Sequence, residues 1–383
     1  MATTTKKSPI AELQALGQSV WMDNISRKIL NNGELKRLID NGLQGMTSNP
    51  TIFEKAIGHS EDYDDEIRSL VAKGADADAI YTALTVSDVR RALDLFRPVY
   101  DKAHGGDGFV SLEVSPFLAH STRETLEEAK RLWGLLDRPN AMIKIPGTPE
   151  GLPAIEEALF SGLNINVTLL FSVEAYEAVA HAYVRALKRR VEAGQPIDRI
   201  ASVASFFVSR IDTETDKRIE AKLKTETDPA RKAALEDLLG KAAIANAKNA
   251  YTVYQRILEG AEFAPLKAKG GKAQRVLWAS VSTKNPRYPD TMYVAELIGP
   301  NTVSTMPPET IAAFEDHGKA RLSLTENVEA ARQVMAKLSE LGIDFKDVTR
   351  VLLDQGVESF KKSFNDLMNT IKQKREKLLN ERK

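Results

Sequence analysis

The chain contains no cysteine among its 383 residues and only five histidines. Without cysteine it can form no disulfide framework, thiolate nucleophile or cysteine-ligated metal site. The histidines are scattered along the chain without the spacing of metal ligands. We therefore expect neither a metal site nor a cofactor bound through one.

Net charge is lacking as well. Lysine plus arginine and aspartate plus glutamate each number 53, so no overall field attracts nucleic acid or an anionic membrane surface. No run of about 18 apolar residues is present, and the first eight residues lack the apolar core of a signal peptide. We expect a soluble cytoplasmic protein with no nucleic-acid or membrane partner, in which any anion site is built locally.

One lysine lies in an apolar setting. Lys144 belongs to the run Met142-Ile-Lys-Ile145, between Arg138-Pro-Asn140 and Pro146-Gly147, and this pattern predicts a buried strand ending in a turn. A buried ammonium loses hydration, which favours the neutral amine that attacks carbonyl groups to form Schiff bases. The alternative is a strand-edge lysine whose ammonium reaches water. This run alone leaves both interpretations open.

Short apolar runs alternate with helical patterns along most of the chain. Eight runs are predicted as strands, at residues 19–24, 45–50, 108–115, 142–145, 164–170, 200–211, 275–286 and 301–306. Alternating buried strands and helices are typical of a (β/α)8 TIM barrel, and no Gly-rich dinucleotide loop supports an open doubly wound sheet. The fold class predicted is therefore α/β, a TIM barrel with additional helices.

The whole chain, 1–383, is predicted to form a single barrel domain. A charged helical insertion is expected at about 213–265 and a C-terminal helical extension, ending in a long helix, at about 344–383. In that last helix an apolar stripe recurs at helical spacing, formed by Val357, Phe360, Phe364, Leu367 and Ile371. The stripe would pack on the barrel or on a neighbouring subunit, and a monomer or homodimer is expected.

Polar residues stand at or near the ends of seven predicted strands. They are Asp23, Asn49, Glu113, Lys144, Thr168, Arg210 and Lys284. In TIM barrels the chemistry gathers at the carboxyl ends of the strands. Singly, Asp23 could be a helix N-cap, Asn49 an ordinary turn residue and Arg210 half of an ion pair with Asp212 or another carboxylate. Together they are hard to explain as folding devices, because burying each charge costs free energy.

Five motifs resemble those of one enzyme family. They are Met46-Thr-Ser-Asn-Pro50, Ile143-Lys-Ile-Pro-Gly-Thr-Pro-Glu-Gly151, Asn164-Ile-Asn-Val-Thr-Leu-Leu-Phe-Ser172, Ser205-Phe-Phe-Val-Ser-Arg-Ile211 and Ala279-Ser-Val-Ser-Thr-Lys-Asn-Pro286. On these residues the chain resembles transaldolases of the longer-chain subgroup, within the class I Schiff-base aldolases, over nearly its whole length. The resemblance implies a TIM barrel that needs no cofactor and no metal.

The resemblance also implies roles for individual residues. Lys144 would form the Schiff base, Asp23 would be the acid/base along the sugar chain, and Glu113 with Thr168 would hold the catalytic water. Substrate hydroxyls would be bound by Thr47, Asn49, Asn166 and Ser205. The phosphate would be bound by Arg210, Ser282 and Lys284, in keeping with the phosphate-binding late loops of many TIM barrels.

One loop departs from the family pattern. Many transaldolases have a short Ala-Ser-x-Arg-Asn turn, whereas this chain has the longer Ala279-Ser-Val-Ser-Thr-Lys-Asn285 with lysine in place of arginine. Lysine offers a point charge but no bidentate fork. Whether Ser280 or Ser282 contacts the phosphate is therefore left open by the sequence.

The implied reaction transfers a dihydroxyacetone unit from sedoheptulose 7-phosphate or fructose 6-phosphate to glyceraldehyde 3-phosphate or erythrose 4-phosphate, in the non-oxidative pentose phosphate pathway. A related alternative is a fructose 6-phosphate aldolase that releases free dihydroxyacetone. Such aldolases tend to have glutamine at the position of Glu113 and tyrosine at that of Phe207, so both residues favour transfer. A non-catalytic sugar-phosphate-binding barrel would keep Arg210 and Lys284 but would not need a lysine flanked by carboxylates.

Overall fold

Eight parallel strands close into a barrel in chain order in the computed structural model, which describes residues 8–380. β1 pairs with β2 on one side and with β8 on the other, so the sheet has no edge. The predicted TIM barrel is therefore confirmed. The strands are β1 Gln18–Asp23, β2 Gly45–Thr47, β3 Val110–Glu113, β4 Ala141–Pro146, β5 Ile165–Leu170, β6 Ser202–Phe207, β7 Arg275–Ala279 and β8 Thr302–Met306.

Helices follow the strands and form the outer layer. They are α1 Pro9–Ala15, α2 Arg27–Asn31, α3 Glu34–Asp40, α4 Pro50–Gly58, α5 Asp64–Ala72, α6 Ala77–Lys102, α7 Thr122–Leu136, α8 Gly151–Phe160, α9 Val173–Glu192, α10 Ser209–Leu223, α11 Pro229–Asp237, α12 Ala242–Leu258, α13 Ala264–Ala268, α14 Met292–Glu296, α15 Pro308–His317, α16 Val328–Glu340 and α17 Phe345–Asn380, with one 3-10 turn at Pro116–Leu118. No helix within residues 8–380 is long and apolar enough to span a membrane.

The strands that carry the central site residues are buried along their whole length. Every residue of β4, β5 and β6 is buried, as expected of parallel strands covered on both faces. The β3–β4 register aligns Glu113 with Lys144, and the β4–β5 register aligns Lys144 with Asn166. Polar side chains on three adjacent strands are thereby brought to one level of the barrel.

The predicted sixth strand was too long. β6 ends at Phe207, and Arg210 lies instead in the first turn of α10, which begins at Ser209. The apolar run continues through Val208 and Ile211, both buried, because these residues pack the start of the helix against the barrel. Hydrophobicity alone does not separate a strand end from the buried first turn of the helix that follows it.

The helical regions outside the barrel follow the predicted pattern. α10 to α13 occupy the range of the expected insertion, although α10 begins before residue 213. α17 is 36 residues long, and the predicted extension to 383 runs three residues beyond the described chain. Its apolar stripe packs on the body, chiefly against α4, α5, α6 and α10. The ring of Phe364 meets that of Tyr81 at 5.0 Å between centroids. The division of the chain into one domain with these additions stays a prediction.

Candidate active site

A cavity of about 280 Å³ opens at the carboxyl ends of the barrel strands. Nine of the eleven predicted site residues line it: Asp23, Thr47, Asn49, Lys144, Thr168, Ser205, Arg210, Ser282 and Lys284. The other two, Glu113 and Asn166, are buried and absent from its lining. The structure therefore brings together residues from β1, β2, β4, β5 and β6 and the loop after β7.

Lys144 is buried at the centre of this group. It is 4% exposed, which contradicts the strand-edge interpretation of a lysine that reaches water. Its Nζ donates a hydrogen bond to the Ser48 carbonyl oxygen at 3.1 Å and lies 3.4 Å from Glu113 Oε2. A buried amine with a carbonyl on one side and a carboxylate on the other is held in one position. This arrangement can present the amine to a carbonyl group in the cavity.

Glu113 is 5% exposed on β3, beside Lys144. Neither carboxylate oxygen has a hydrogen-bond partner among residues 8–380, so its contact with Lys144 is an ionic contact without hydrogen-bond geometry. Burial raises the pKa of Glu113, and the charge of Lys144 opposes that rise. The side chain also borders a second cavity, of about 290 Å³, together with Tyr81, Arg131 and Phe364. A buried carboxyl with free oxygens and a raised pKa can hold water or exchange a proton.

Asp23 is the last residue of β1 and lines the main cavity. The Thr47 hydroxyl donates a hydrogen bond to Asp23 Oδ1 at 2.7 Å and lies 2.7 Å from the Thr305 hydroxyl. Burial raises the pKa of Asp23, while Lys144 and Thr47 act in the opposite direction. The next helix has Ser26 as its N-cap, so Asp23 is not the helix cap that the sequence left open. A carboxyl with a raised pKa at a cavity wall is suited to general acid/base work.

The polar residues of β5 and β6 form two levels. The upper level is Thr168, whose buried Oγ1 has no hydrogen-bond partner within the described chain although it borders the cavity. Below it, Asn166 Nδ2 donates to Ser111 Oγ at 3.0 Å, and Ser205 Oγ donates to Asn166 Oδ1 at 2.7 Å. Asn166 therefore supports Ser205 from beneath, and its predicted contact with substrate stays a prediction.

Asn49 has two structural roles. It is the N-cap of α4, where its side-chain oxygen accepts from Ile52 N at 3.0 Å, and it also lines the cavity. The structure therefore shows a helix N-cap in place of the ordinary turn that the sequence left open, and the Asn49 oxygen satisfies one unpaired amide of the first turn. Its amide nitrogen remains the group with which it could meet a ligand.

The two cations predicted to bind phosphate, Arg210 and Lys284, lie in the first turn of α10 and in the loop after β7. The Arg210 guanidinium lies 5.4 Å from the centre of the Phe207 ring, and burial lowers the pKa of Arg210 while Asp23 opposes this. Lys284 is exposed at the cavity rim. Asp212, considered from sequence as an ion-pair partner of Arg210, instead accepts from Ala243 N and from the Tyr293 hydroxyl. Arg210 therefore keeps its charge available to the cavity.

Both candidate serines of the long loop line the cavity. Ser280 has φ of +55°, and its hydroxyl is 2.9 Å from that of Ser209, the residue before Arg210. A non-glycine residue in this left-handed conformation indicates a sharply turned loop. The turn points the following residues, Ser282 and Lys284, into the rim.

Several further residues of the lining were not predicted from the sequence, among them Lys55, Thr305, Glu309 and Phe360. The pattern Met306-Pro-Pro-Glu309 after the last strand is the signal that could have found Glu309, because it puts a carboxylate just past a strand end. Phe360 belongs to the apolar stripe of α17, and its periodicity says nothing about a cavity. Within residues 8–380, no group of three or more His, Asp or Glu side chains is arranged to hold a metal ion.

Comparisons with known proteins agree with this geometry. The model of the transaldolase/fructose-6-phosphate aldolase family matches residues 20–371. A protein of Trichodesmium erythraeum named transaldolase is 49% identical over 372 residues, which cover 96% of this chain and 98% of the relative. Transaldolases of Parafrankia sp. and Acidothermus cellulolyticus are 49% and 48% identical, covering 95% and 98% of this chain and 97% and 99% of the relatives. The resemblance found in the sequence motifs is confirmed. The chain therefore belongs to the transaldolase/fructose-6-phosphate aldolase family and is an enzyme of the transaldolase type.

Proposed function

We propose that the enzyme transfers a dihydroxyacetone unit from sedoheptulose 7-phosphate or fructose 6-phosphate to glyceraldehyde 3-phosphate or erythrose 4-phosphate, through a Schiff base on Lys144. The observation that carries this proposal is the buried Lys144 amine, 3.4 Å from the Glu113 carboxylate, in a cavity that also contains Arg210 and Lys284. The amine supplies the nucleophile and the cations supply an anion site.

The reaction begins at the ketone carbon, C2, of the donor. The neutral Lys144 amine attacks C2 and forms a carbinolamine, which takes up a proton and loses water to give an iminium ion. The iminium nitrogen is the electron sink for the next step. Glu113 and Thr168 hold the water that leaves here and returns at release. Their unpartnered oxygens support this role, because buried polar atoms without partners can be satisfied by an ordered water.

Cleavage requires removal of a proton from the C4 hydroxyl. Asp23 accepts that proton, the C3–C4 bond breaks, and its electron pair flows to the iminium nitrogen. An aldose phosphate leaves, and the dihydroxyacetone enamine stays on Lys144. The raised pKa of Asp23 supports the assignment, because a base is most effective when its pKa approaches the working pH. Attack of the enamine on a second aldose phosphate reverses these steps.

Binding of the sugar is divided between two groups of residues. Thr47, Asn49, Asn166 and Ser205 meet the substrate hydroxyls, Asn166 chiefly by orienting Ser205. Arg210, Ser282 and Lys284 bind the phosphate. We favour Ser282 over Ser280 because the Ser280 hydroxyl is already engaged with Ser209. The reaction requires neither cofactor nor metal. We assign the reaction to the non-oxidative pentose phosphate pathway. The enzyme would act in the cytoplasm, as a monomer or homodimer.

A coupled assay with fructose 6-phosphate tests the reaction class. Glyceraldehyde 3-phosphate should form only when erythrose 4-phosphate is present as acceptor. Its steady release without acceptor, together with free dihydroxyacetone, would instead identify an aldolase. Binding of fructose 6-phosphate with no product under either condition would leave a non-catalytic sugar-phosphate-binding barrel.

Borohydride reduction tests the nucleophile. Reduction in the presence of fructose 6-phosphate should leave a three-carbon adduct on the peptide that contains Lys144, and Lys144→Ala should abolish it. Lys284→Ala is the matched control, because it removes another lysine of the cavity lining and should leave the adduct in place. Mass mapping of the adduct to Lys284 would contradict the assignment.

A further inference from the structure

Helix α10 connects the two sources of the proposed phosphate site. Arg210 lies in its first turn, and Asp212, Asp216 and Glu220 follow at intervals of four residues, which puts them on one face of the helix. All three contact the segment that leaves β7. The Tyr293 hydroxyl donates to Asp212 Oδ2 at 2.9 Å, the Tyr288 hydroxyl donates to Asp216 Oδ2 at 2.7 Å, and Arg287 pairs with Glu220 at 2.8 Å. Together these three contacts form the α10 clasp.

The segment held by the clasp, residues 280–293, carries the proposed phosphate ligands. Ser282 and Lys284 lie between β7 and the first clasp residue, Arg287. The Thr283 hydroxyl donates to the Pro289 carbonyl at 2.9 Å, so the segment is also folded back on itself. Lys284 lines the main cavity on one side and, on the other, a cavity of about 220 Å³ together with Asp212 and Asp216. Lys284 and these two clasp carboxylates therefore border one cavity.

The helical insertion holds the other side of the same carboxylates. Asp212 Oδ1 accepts from Ala243 N at 2.7 Å, and Asp216 Oδ1 accepts from Gly240 N at 3.0 Å. Asp216 therefore joins the turn between α11 and α12 to the Tyr288 hydroxyl, and Asp212 joins the first turn of α12 to the Tyr293 hydroxyl. Two buried carboxylates are costly to retain for stability alone, because desolvation penalises their charge.

Gly240 shows how closely the insertion approaches the segment. Its φ is +71°, and a Cβ on it would lie 2.7 Å from Cζ of Tyr288. A side chain here would displace the Tyr288 ring from Asp216. The turn between α11 and α12 thus forms the wall against which Tyr288 is seated.

We propose that the helical insertion positions the phosphate-binding segment: Asp212 and Asp216 are positioning residues that set the spacing of Ser282 and Lys284 from Arg210. They act through Tyr293 and Tyr288 and do not touch substrate. The inference rests on the proposed assignment of phosphate to Arg210, Ser282 and Lys284. It gives a role to the charged insertion, which the sequence does not explain.

The test uses the full-length enzyme and two conservative substitutions, Tyr288→Phe and Asp216→Asn. The probe is inorganic phosphate, as a competitive inhibitor of fructose 6-phosphate and as a ligand in calorimetry. Each variant should weaken phosphate binding and raise KM for fructose 6-phosphate by about 3- to 10-fold, the range expected for one hydrogen bond that orients a charged ligand group. The kcat should change by less than 2-fold, because no group that touches the reacting atoms is altered.

Tyr183→Phe is the matched control. Its hydroxyl donates to the Lys272 carbonyl at 2.6 Å and belongs to α9, away from the clasp. This variant loses a comparable hydrogen bond and should leave phosphate affinity unchanged even if its melting temperature falls. A purely structural role for Tyr288 predicts that it behaves like Tyr183→Phe, and that result would overturn the inference.

Arg210→Ala separates failure of the inference from failure of the proposed site. If this variant weakens phosphate binding while Tyr288→Phe and Asp216→Asn do not, the phosphate assignment stands and the positioning role is wrong. If Arg210→Ala leaves phosphate binding unchanged, the phosphate assignment itself is wrong and the inference falls with it. Weakened binding in all three variants supports both.

Discussion

Asp212 should make the stability of the enzyme depend on pH. The residue is 1% exposed, and burial raises the pKa of its carboxyl to about 7, although Ala243 N and the Tyr293 hydroxyl stabilise the charged form. Between the ordinary pKa of 3.8 and about 7, the folded protein therefore retains a proton that the unfolded chain has released. Stability from this group is fully present below pH 3.8 and is lost as the pH rises through 7.

The magnitude follows from that difference in pKa. A rise from 3.8 to about 7 corresponds to about 4 kcal/mol of destabilisation at a pH above both values, at roughly 1.4 kcal/mol for each pKa unit. Asp212→Asn removes the charge and resembles the protonated form, since its oxygen can still accept from Ala243 N. For 383 residues an unfolding entropy of about 0.8 kcal/mol per kelvin converts this to a Tm difference of about 5 °C.

Thermal melts of both proteins at pH 5 and pH 8.5 measure the effect. The Tm of Asp212→Asn minus that of the wild type should be several degrees larger at pH 8.5 than at pH 5. The other titrating groups are common to both proteins and cancel in this difference. Asp354→Asn is the control, since it removes an exposed carboxylate of α17 and should leave the Tm difference near zero at both pH values. An equal gap between Asp212→Asn and wild type at the two pH values would refute the reasoning.

Three other changes have definite expected results. Glu113→Gln should lower kcat by about 10²- to 10⁴-fold, measured at saturating fructose 6-phosphate, because it removes the carboxylate that is proposed to hold the catalytic water and that can exchange a proton with it; a kcat within about 3-fold of wild type would contradict this. Lys284→Met should raise KM for fructose 6-phosphate with little change in kcat, whereas a loss confined to kcat would argue against a binding role. Gly356→Ala should destabilise the fold by about 1–2 kcal/mol in denaturant unfolding, because overpacking of its Cβ, 2.9 Å from Leu169 Cδ2, should outweigh the gain in helix propensity; an unchanged midpoint would show that the Leu169 side chain gives way.

The barrel was predictable because its strands are continuous apolar runs interrupted by turn residues. All eight predicted runs overlap an observed strand, and the closed order follows from βα alternation. The error at the end of β6 arose where an apolar run continues across a strand end into a buried helix start. Arg210 was assigned to the correct end of the barrel but to the wrong element. The sequence therefore predicted where Arg210 lies in the barrel but not the conformation of its backbone.

The centre of the site was predictable for a different reason. Lys144, Glu113 and Asp23 are charges embedded in buried strands, and a barrel gathers such strand ends into one place. The contact between Lys144 and Glu113 depends in addition on the β3–β4 register, which aligns the two residues. Phe360 could not be found in this way, because it reaches the cavity from a helix more than 200 residues further along the chain, whose path over the barrel no local pattern describes.

The α10 clasp shows a further limit. Acidic residues four apart in a charged helix are the usual pattern of a solvated, salt-bridged face, and that interpretation fits Glu220, whose side chain is about half exposed. It fails for Asp212, two turns earlier on the same face, which is buried against Tyr293. The difference comes from elements distant in sequence, the first turn of α12 and Tyr293 on α14, which cover Asp212 and leave Glu220 about half exposed. Burial beneath these elements raises the pKa of Asp212 to about 7, so its chemistry is set by tertiary structure and not by the helical pattern of the sequence.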